Sequence, residues 1–199
     1  MCTFGSVLAA SAPHATISVC LLGPLGVGKS SIFARFNGAP FEPLHQTTFG
    51  SRFAAPRPLA SGVSVSVWDT SGHHRYRPLV TNVIKSCDVL ACCFAVDDVE
   101  SFDGVCEIAK EMCRSSESHA LVALVGCKSD LPAAVSATQT MQFIESLVGA
   151  FPELRVVSTS CSALDNDVEE LFNTLARAHT ANRERRELIS ATATAPGAF

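Results

Sequence analysis

Apolar runs alternate with helix-like segments along most of the chain, from about residue 16 to residue 180. This order is typical of a parallel α/β sheet, in which each strand is followed by a helix. Residues 89–96 and 121–125 are continuous apolar runs, which predicts central strands covered on both faces. Residues 63–68 alternate strictly between apolar and polar side chains, which predicts a strand with one buried face. A first strand is predicted at 16–22, and short strands are predicted at 49–54 and 155–158.

Helices are predicted between these strands, at 28–37, 101–114, 137–150 and 168–181. Gly38 and Pro40 end the first helix, and a stretch rich in proline and turn residues continues to residue 58. The domain is therefore expected to span residues 16–182. Residues 1–15 are expected to form a flexible N-terminal extension. Residues 183–199 are expected to form a disordered tail, because the last residues are small and polar and include proline and glycine.

Composition narrows the class of protein. The 199 residues fit one domain, and 47% hydrophobic residues are sufficient for one buried core. A net charge of −4 argues against nucleic acid as a partner, because that binding depends mainly on Lys and Arg. Nine cysteines, several of them inside apolar runs, favour reduced, buried thiols and a cytoplasmic location. No Lys or Arg precedes Lys29, so the N-terminus does not resemble a secretion signal.

The first segment that carries chemistry is Gly23-Pro24-Leu25-Gly26-Val27-Gly28-Lys29-Ser30, which matches the phosphate-loop pattern G-x-x-x-x-G-K-[ST]. Glycines let backbone N–H groups curl around phosphates, Lys29 reaches the β- and γ-phosphates, and Ser30 supplies a hydroxyl to Mg²⁺. A predicted strand precedes the motif and a predicted helix follows it, with its positive dipole end towards the anion. A chance glycine-rich turn is the alternative, but it does not explain the complete motif in this context.

Later segments separate guanine from adenine nucleotides. Asp69 ends the alternating strand and can hold Mg²⁺ through water, and Gly72 can offer its N–H to a γ-phosphate. Asp130 follows a buried strand and can accept both the N1 and N2 protons of guanine, which adenine does not offer. Residues 158–163 follow the last short strand, where the backbone can contact the base. All of these segments lie at C-terminal strand ends, where open α/β sheets bind their ligands.

The order of these motifs resembles the Ras superfamily of small GTPases over residues 16–180. The segments that carry the resemblance are the phosphate loop, Thr48-Phe49-Gly50, Trp68-Asp69-Thr70-Ser71-Gly72, Cys127-Lys128-Ser129-Asp130 and Thr159-Ser160-Cys161. Features similar to the Rab branch are Trp68, Arg75-Tyr76-Arg77 and residues 99–102 and 166–172. The resemblance implies an α/β, three-layer P-loop NTPase fold, with a central, mostly parallel six-stranded sheet and helices on both faces.

The same resemblance implies GTP or GDP and Mg²⁺ as cofactors. The metal would be held by Ser30, Thr48 and Asp69, with Thr47 as the alternative to Thr48. The residues implied in nucleotide binding are Gly23, Leu25, Gly26, Val27, Gly28, Lys29, Ser30, Ser31, Phe41, Thr48, Gly72, Cys127, Lys128, Asp130, Ser160, Cys161 and Ser162. Phe41 would pack against the guanine edge. The loops at 41–50 and 72–78 would present the surface that protein effectors and regulators bind.

Several residues depart from the family pattern. His73 stands where relatives usually carry the Gln that orients the attacking water. Translational GTPases carry His there, so His73 either positions water or lies in a solvated loop with very slow hydrolysis. Leu25 places a bulky side chain where an arginine finger, worth about 10³–10⁵ in rate, would enter. Cys127 replaces an Asn, which predicts nucleotide affinity lower by about ten- to a hundredfold. Ser162 stands where Lys is usual.

The C-terminal segment differs from that of most Rab proteins, which end in prenylated cysteines. The last cysteine here is Cys161, and no C-a-a-X signal is present. Cys2 is either a free thiol or an acylation site, and a single acyl chain holds a protein to a membrane only weakly. No stable direct membrane anchor is therefore expected, and recruitment to endomembranes or to the cilium would need a partner.

Two functions are compatible with these features. The first is a GTP/GDP switch with slow hydrolysis in vesicular or ciliary transport, in which the γ-phosphate orders both effector loops. The second is a non-hydrolysing, nucleotide-bound subunit of a complex, which Leu25, His73 and Cys127 favour. A P-loop kinase or ATPase would leave Thr48 and Asp130 unexplained.

Overall fold

The computed structural model describes residues 16–43, 47–115, 121–152, 154–165 and 167–193. The strands are β1 (Thr16–Leu22), β2 (Ser51–Pro58), β3 (Ser64–Thr70), β4 (Val89–Ala95), β5 (Leu121–Cys127) and β6 (Val156–Cys161). The helices are α1 (Lys29–Phe36), α2 (Arg77–Lys85), α3 (Val99–Ser115), α4 (Ala137–Ala150) and α5 (Val168–Ala193), and a 3₁₀ turn spans His74–Tyr76. The predicted N-terminal extension at 1–15 lies outside the described residues.

The strands form one six-stranded sheet in the order β2-β3-β1-β4-β5-β6. Only β2 pairs antiparallel, with β3, and the other neighbours are parallel. The predicted α/β fold with a mostly parallel sheet is therefore confirmed. Because β1 has β3 on one side and β4 on the other, the loop that leaves β1 lies at a topological switch point, where such sheets bind ligands.

The core occupies both faces of the sheet, because successive side chains of a strand point to opposite layers. In β1, Val19 and Leu21 pack with residues of α1 and α5, whereas Cys20 and Leu22 pack with residues of α2 and α3. A third cluster joins β4 and β5 to α3 and α4. Every residue of β4 and β5 is buried, as their continuous apolar runs predicted.

The structure differs from the predicted elements in the segment after β3 and at the C-terminus. The 3₁₀ turn and α2 were not predicted. Helix α5 continues to Ala193, so residues 183–193 are helical and the predicted disordered tail is wrong there. This part of α5 contains no Gly or Pro, and an ion pair between Arg183 and Glu187 (3.5 Å, i to i+4) supports it. Residues 194–199 lie outside the described residues.

Two further features concern thiols and membranes. The eight cysteines in the described part of the chain are free and buried, as the sequence predicted. Burial raises the pKa of Cys161 to about 12 and that of Cys106 to about 12, so these thiols stay protonated and act as small apolar groups. Within the described ranges, none of the helices is long and apolar enough to cross a bilayer.

Candidate nucleotide-binding site

A cleft of about 570 Å³ opens at the C-terminal ends of the parallel strands, a volume within the ordinary range of small-molecule sites. Thirteen of the residues predicted to bind nucleotide or metal line it: Leu25, Gly26, Gly28, Lys29, Ser30, Ser31, Phe41, Thr48, Gly72, Cys127, Lys128, Asp130 and Cys161. Of the other predicted residues, Gly23, Val27 and Asp69 lie behind this lining, and Val27 is buried in the core. The fold therefore brings five separate segments of the sequence to one cleft.

The phosphate loop has a backbone that only glycine adopts easily. Gly23, Gly26 and Gly28 have φ of 141°, 76° and 112°. A Cβ on Gly23 would also lie 2.1 Å from the carbonyl oxygen of Cys93 on β4. Gly28 caps α1 with no side-chain hydrogen bond, which leaves the first N–H groups of that helix open to a ligand.

Lys29 is the cation at the centre of this loop. It is only 5% exposed, and its Nζ donates hydrogen bonds to the carbonyl oxygens of Gly23 (2.8 Å) and Pro24 (2.6 Å). Burial lowers the pKa of Lys29. The ammonium is thus held across the loop by backbone dipoles, at the place where the charge of a phosphate would compensate its burial.

Three side-chain oxygens meet below the phosphate loop. Ser30 Oγ lies 2.9 Å from Thr48 Oγ1 and donates to Asp69 Oδ2 at 2.9 Å, and Thr48 Oγ1 donates to the same Oδ2 at 3.1 Å. An octahedral Mg²⁺ site with ligands at about 2.1 Å needs neighbouring oxygens about 3 Å apart. The buried Oδ1 of Asp69 has no hydrogen-bond partner. The residues present therefore fit Mg²⁺, and Thr47 is exposed on the cleft wall instead.

Arg52, which was not among the predicted site residues, also reaches Asp69. Arg52 on β2 is the cross-strand partner of Asp69 on β3, and its Nε and Nη2 donate to Asp69 Oδ2 at 3.1 and 2.6 Å. The order of the strands could have indicated this contact. Two strands joined by a short turn pair antiparallel, so an early residue of β2 lies opposite a late residue of β3. The register itself, however, was not predictable from the hydrophobic pattern of β2.

The base end of the cleft is built by the segments after β5 and β6. Asp130 Oδ1 accepts a hydrogen bond from Ser162 Oγ at 2.7 Å, and Ser162 is fully buried. The Ser162 side chain therefore braces the predicted guanine-reading carboxylate, and Ser162 is outside the cleft lining. Ser160 is exposed and is also outside the lining. Ala163 and Leu164, three and four residues later, line the cleft instead, because β6 continues to Cys161.

Cys127 packs against the phosphate loop in the position where relatives carry Asn. A hydrogen bond with Cys93 and burial hold the pKa of the Cys127 thiol well above its ordinary value. A Cβ added to Gly28 would lie 3.4 Å from Cys127 Cβ, so the two backbones are in close approach. Cys127 thus supports the loop by contact and supplies no amide to it.

In the segment after β3, Gly72 lines the cleft whereas His73 does not. Gly72 lies on the phosphate loop, since a Cβ there would be 2.5 Å from the carbonyl carbon of Pro24. His73 is outside the lining, and its Nδ1 accepts a hydrogen bond from the backbone N–H of Arg75 at 3.2 Å. Leu25 is 51% exposed at the mouth of the cleft. In this conformation the His73 side chain is hydrogen-bonded within its own turn, and Leu25 lies at the phosphate-loop end of the cleft.

Comparison with known proteins identifies the family. The sequence model of the Ras family matches residues 18–181 of this chain. The chain belongs to the Ras family. It is similar to the GTP-binding protein ypt3 of Schizosaccharomyces pombe, with 30% identity over 159 residues that cover 78% of this chain and 72% of the relative. It is also similar to the Ras-related protein SEC4 of Saccharomyces cerevisiae, with 30% identity over 164 residues (81% and 74%).

A human relative has the same degree of similarity. The Ras-related protein Rab-30 of Homo sapiens is 30% identical over 162 residues, which cover 79% of this chain and 77% of the relative. These relatives carry Rab, Ypt and Sec4 names, so the predicted Rab-like small GTPase of the Ras superfamily is confirmed.

Proposed function

We propose that this Rab-like small GTPase is a GTP/GDP switch with slow GTP hydrolysis that acts in vesicular or ciliary transport. The observation that carries the proposal is the meeting of Ser30, Thr48 and Asp69, which come from three separate segments, at distances that fit Mg²⁺. A domain that bound no nucleotide would have no physical need for this arrangement together with Lys29 and Asp130.

The residues of the cleft divide the nucleotide between them. The N–H groups of the phosphate loop and Lys29 would bind the phosphates, Phe41 and Leu164, which line the cleft, would border the base, and Asp130 would accept the guanine protons. Ser30 and Thr48 would hold Mg²⁺ directly, with Asp69 beside them. When bound, Mg²⁺ neutralises charge on the β- and γ-phosphates. Because Thr48 belongs to the loop at 41–50, its contact with the site couples the γ-phosphate to that effector surface.

The slow rate of GTP hydrolysis is a separate part of the proposal and depends on His73 and Leu25. An efficient reaction needs a group that orients water and an open path for an arginine finger. His73 is bonded to the backbone of Arg75, and Leu25 projects at the mouth of the cleft. The same observations favour a second candidate function, a nucleotide-bound interaction module that does not hydrolyse GTP.

A single-turnover experiment with GTP distinguishes the two candidate functions. We expect the purified protein to contain guanine nucleotide and to convert added GTP to GDP slowly in the presence of Mg²⁺, measured by chromatography of the released nucleotide. If the imidazole orients water, His73→Ala slows the reaction by about 10²-fold or more, whereas His179→Ala on α5 leaves it unchanged. Retained GTP with no turnover would support the interaction module. Absence of any guanine nucleotide binding would exclude both.

Cys127→Asn is expected to strengthen binding. An amide in this position can donate to the base and to the phosphate loop, whereas the thiol is a weak donor. We expect the dissociation constant for GDP to fall by about ten- to a hundredfold, measured by fluorescence titration. Cys113→Ala on α3 removes a buried thiol away from the cleft and serves as the matched control. Unchanged affinity in a normally folded Cys127→Asn protein would contradict the assigned role.

A further inference from the structure

Arg52 contacts the candidate metal site and has no part in the function proposed above. Two of its N–H groups donate to Asp69 Oδ2, the same oxygen that accepts hydrogen bonds from Ser30 and Thr48. The Asp69 side chain is 0% exposed, whereas the Arg52 side chain is 47% exposed. The contact thus joins a fully buried carboxylate to a guanidinium that reaches it from the protein surface.

A buried carboxylate is costly unless an opposite charge compensates it. Mg²⁺ and its neighbours would provide that charge when nucleotide is bound. Arg52 provides it without a metal, through charge-assisted hydrogen bonds, which are stronger than neutral ones. Ser30 and Thr48 bond the same Oδ2 that Arg52 bonds. Mg²⁺ held among these oxygens would therefore lie beside the guanidinium, and the two cations repel each other.

In the same conformation, Arg52 makes a further contact besides that with Asp69. Its guanidinium carbon lies 4.9 Å from the centre of the Phe33 ring on α1, a cation–π contact that does not involve Asp69. Because its side chain is half exposed, the guanidinium can leave the carboxylate for solvent. The cross-strand pairing with Asp69 keeps it within reach for return.

We propose that Arg52 is a built-in counter-ion of the metal-free site, which competes with Mg²⁺ for Asp69. The inference rests on the proposed nucleotide-binding function. Its consequence is that the site stays compensated when the metal leaves, and that a higher concentration of Mg²⁺ is needed to fill it. Binding of GDP is then less dependent on Mg²⁺ than it would be with a neutral residue at position 52.

A Mg²⁺ titration of the GDP-bound protein tests this directly. Trp68 is the only tryptophan of the chain, it adjoins Asp69, and its ring centre lies 4.7 Å from that of Phe53, next to Arg52. Its fluorescence gives one readout close to the site, and the release rate of a fluorescent GDP gives a second, independent one. We expect the Mg²⁺ concentration at half-saturation to fall by about tenfold in Arg52→Gln. For Arg52→Lys, which keeps the charge, this Mg²⁺ concentration should lie between those of the wild type and Arg52→Gln.

The matched control is Arg57→Gln, because Arg57 is on the same strand, is 44% exposed and pairs with Glu169 far from the metal. It should titrate like the wild type. Equal midpoints for Arg52→Gln and wild type, with GDP bound, would overturn the inference but not the proposed function.

If no variant binds GDP in excess Mg²⁺, the proposed function fails and melting of the nucleotide-free chain decides the inference. Arg52→Gln should then melt about 5 °C or more below Arg57→Gln, because it leaves the Asp69 carboxylate uncompensated. Equal melting temperatures would overturn the inference.

Discussion

Asp130→Asn is expected to change the base preference of the site from guanine to xanthine. The carboxylate of Asp130 is held by the Ser162 hydroxyl at 2.7 Å, so its position does not depend on the ligand. A carboxylate accepts two protons from guanine, whereas an amide presents a donor to the guanine 2-amino group, which is also a donor. Xanthine carries a carbonyl oxygen at that carbon, which accepts from the amide.

The expected loss of GDP affinity follows from the cost of polar groups in the site that are left without hydrogen-bond partners. A site built to hydrogen-bond its substrate rejects a mismatched analogue by about 10⁴-fold, and a partly open cleft by less. We therefore expect the affinity for GDP to fall by about 10³-fold in Asp130→Asn. The affinity for xanthosine diphosphate should rise to within about tenfold of the wild-type value for GDP. Competition against a fluorescent nucleotide measures both constants.

Asp103→Asn is the matched control, because Asp103 lies exposed on α3, outside the cleft lining. It should bind GDP as the wild type does. If Asp130→Asn keeps its preference for guanine, Asp130 does not read the base, and the proposed guanine specificity loses the carboxylate on which it rests.

The parts of the site that depend on short motifs were predictable from sequence. The phosphate loop needs glycines at three positions of left-handed backbone and a lysine and serine directly after them, all within eight consecutive residues. The apolar runs of β1, β4 and β5 were equally informative, since strands covered on both faces have few polar residues. Local sequence therefore determines the backbone of the phosphate loop and the place of the central sheet.

The parts that depend on register between distant segments were not predictable. Whether Arg52 reaches Asp69 depends on the pairing of β2 with β3, and β2 has a register shift between Ala54 and Arg57. Ser162 was expected near the base, yet it lies under Asp130, because β6 extends to Cys161. A shift of one or two residues moves a side chain to the other face of a strand or out of a cleft. Periodicity alone does not resolve such shifts.

Gly72→Ala is expected to abolish the response of the protein to the γ-phosphate. A Cβ at this position would lie 2.5 Å from the carbonyl carbon of Pro24 and 2.6 Å from the backbone nitrogen of Leu25. The phosphate loop cannot move away easily, because Gly23 is itself packed on Cys93 of β4. The segment after β3 must move instead, which takes the N–H of residue 72 away from the γ-phosphate. Loss of one such preorganised donor costs about 10²–10³-fold in rate.

We therefore expect single-turnover hydrolysis of GTP to fall by about a hundredfold or more in Gly72→Ala, with GDP affinity changed by less than about threefold. Gly149→Ala on α4 is the matched control, since an added Cβ there meets no atom within 4 Å and the backbone is helical. If the wild type itself does not hydrolyse GTP, the ratio of GTP to GDP affinity replaces the rate as the readout. That ratio should fall in Gly72→Ala and stay constant in Gly149→Ala. A Gly72→Ala protein that keeps both the rate and the ratio would show that this glycine does not sense the γ-phosphate, and the switch mechanism would then need a different contact.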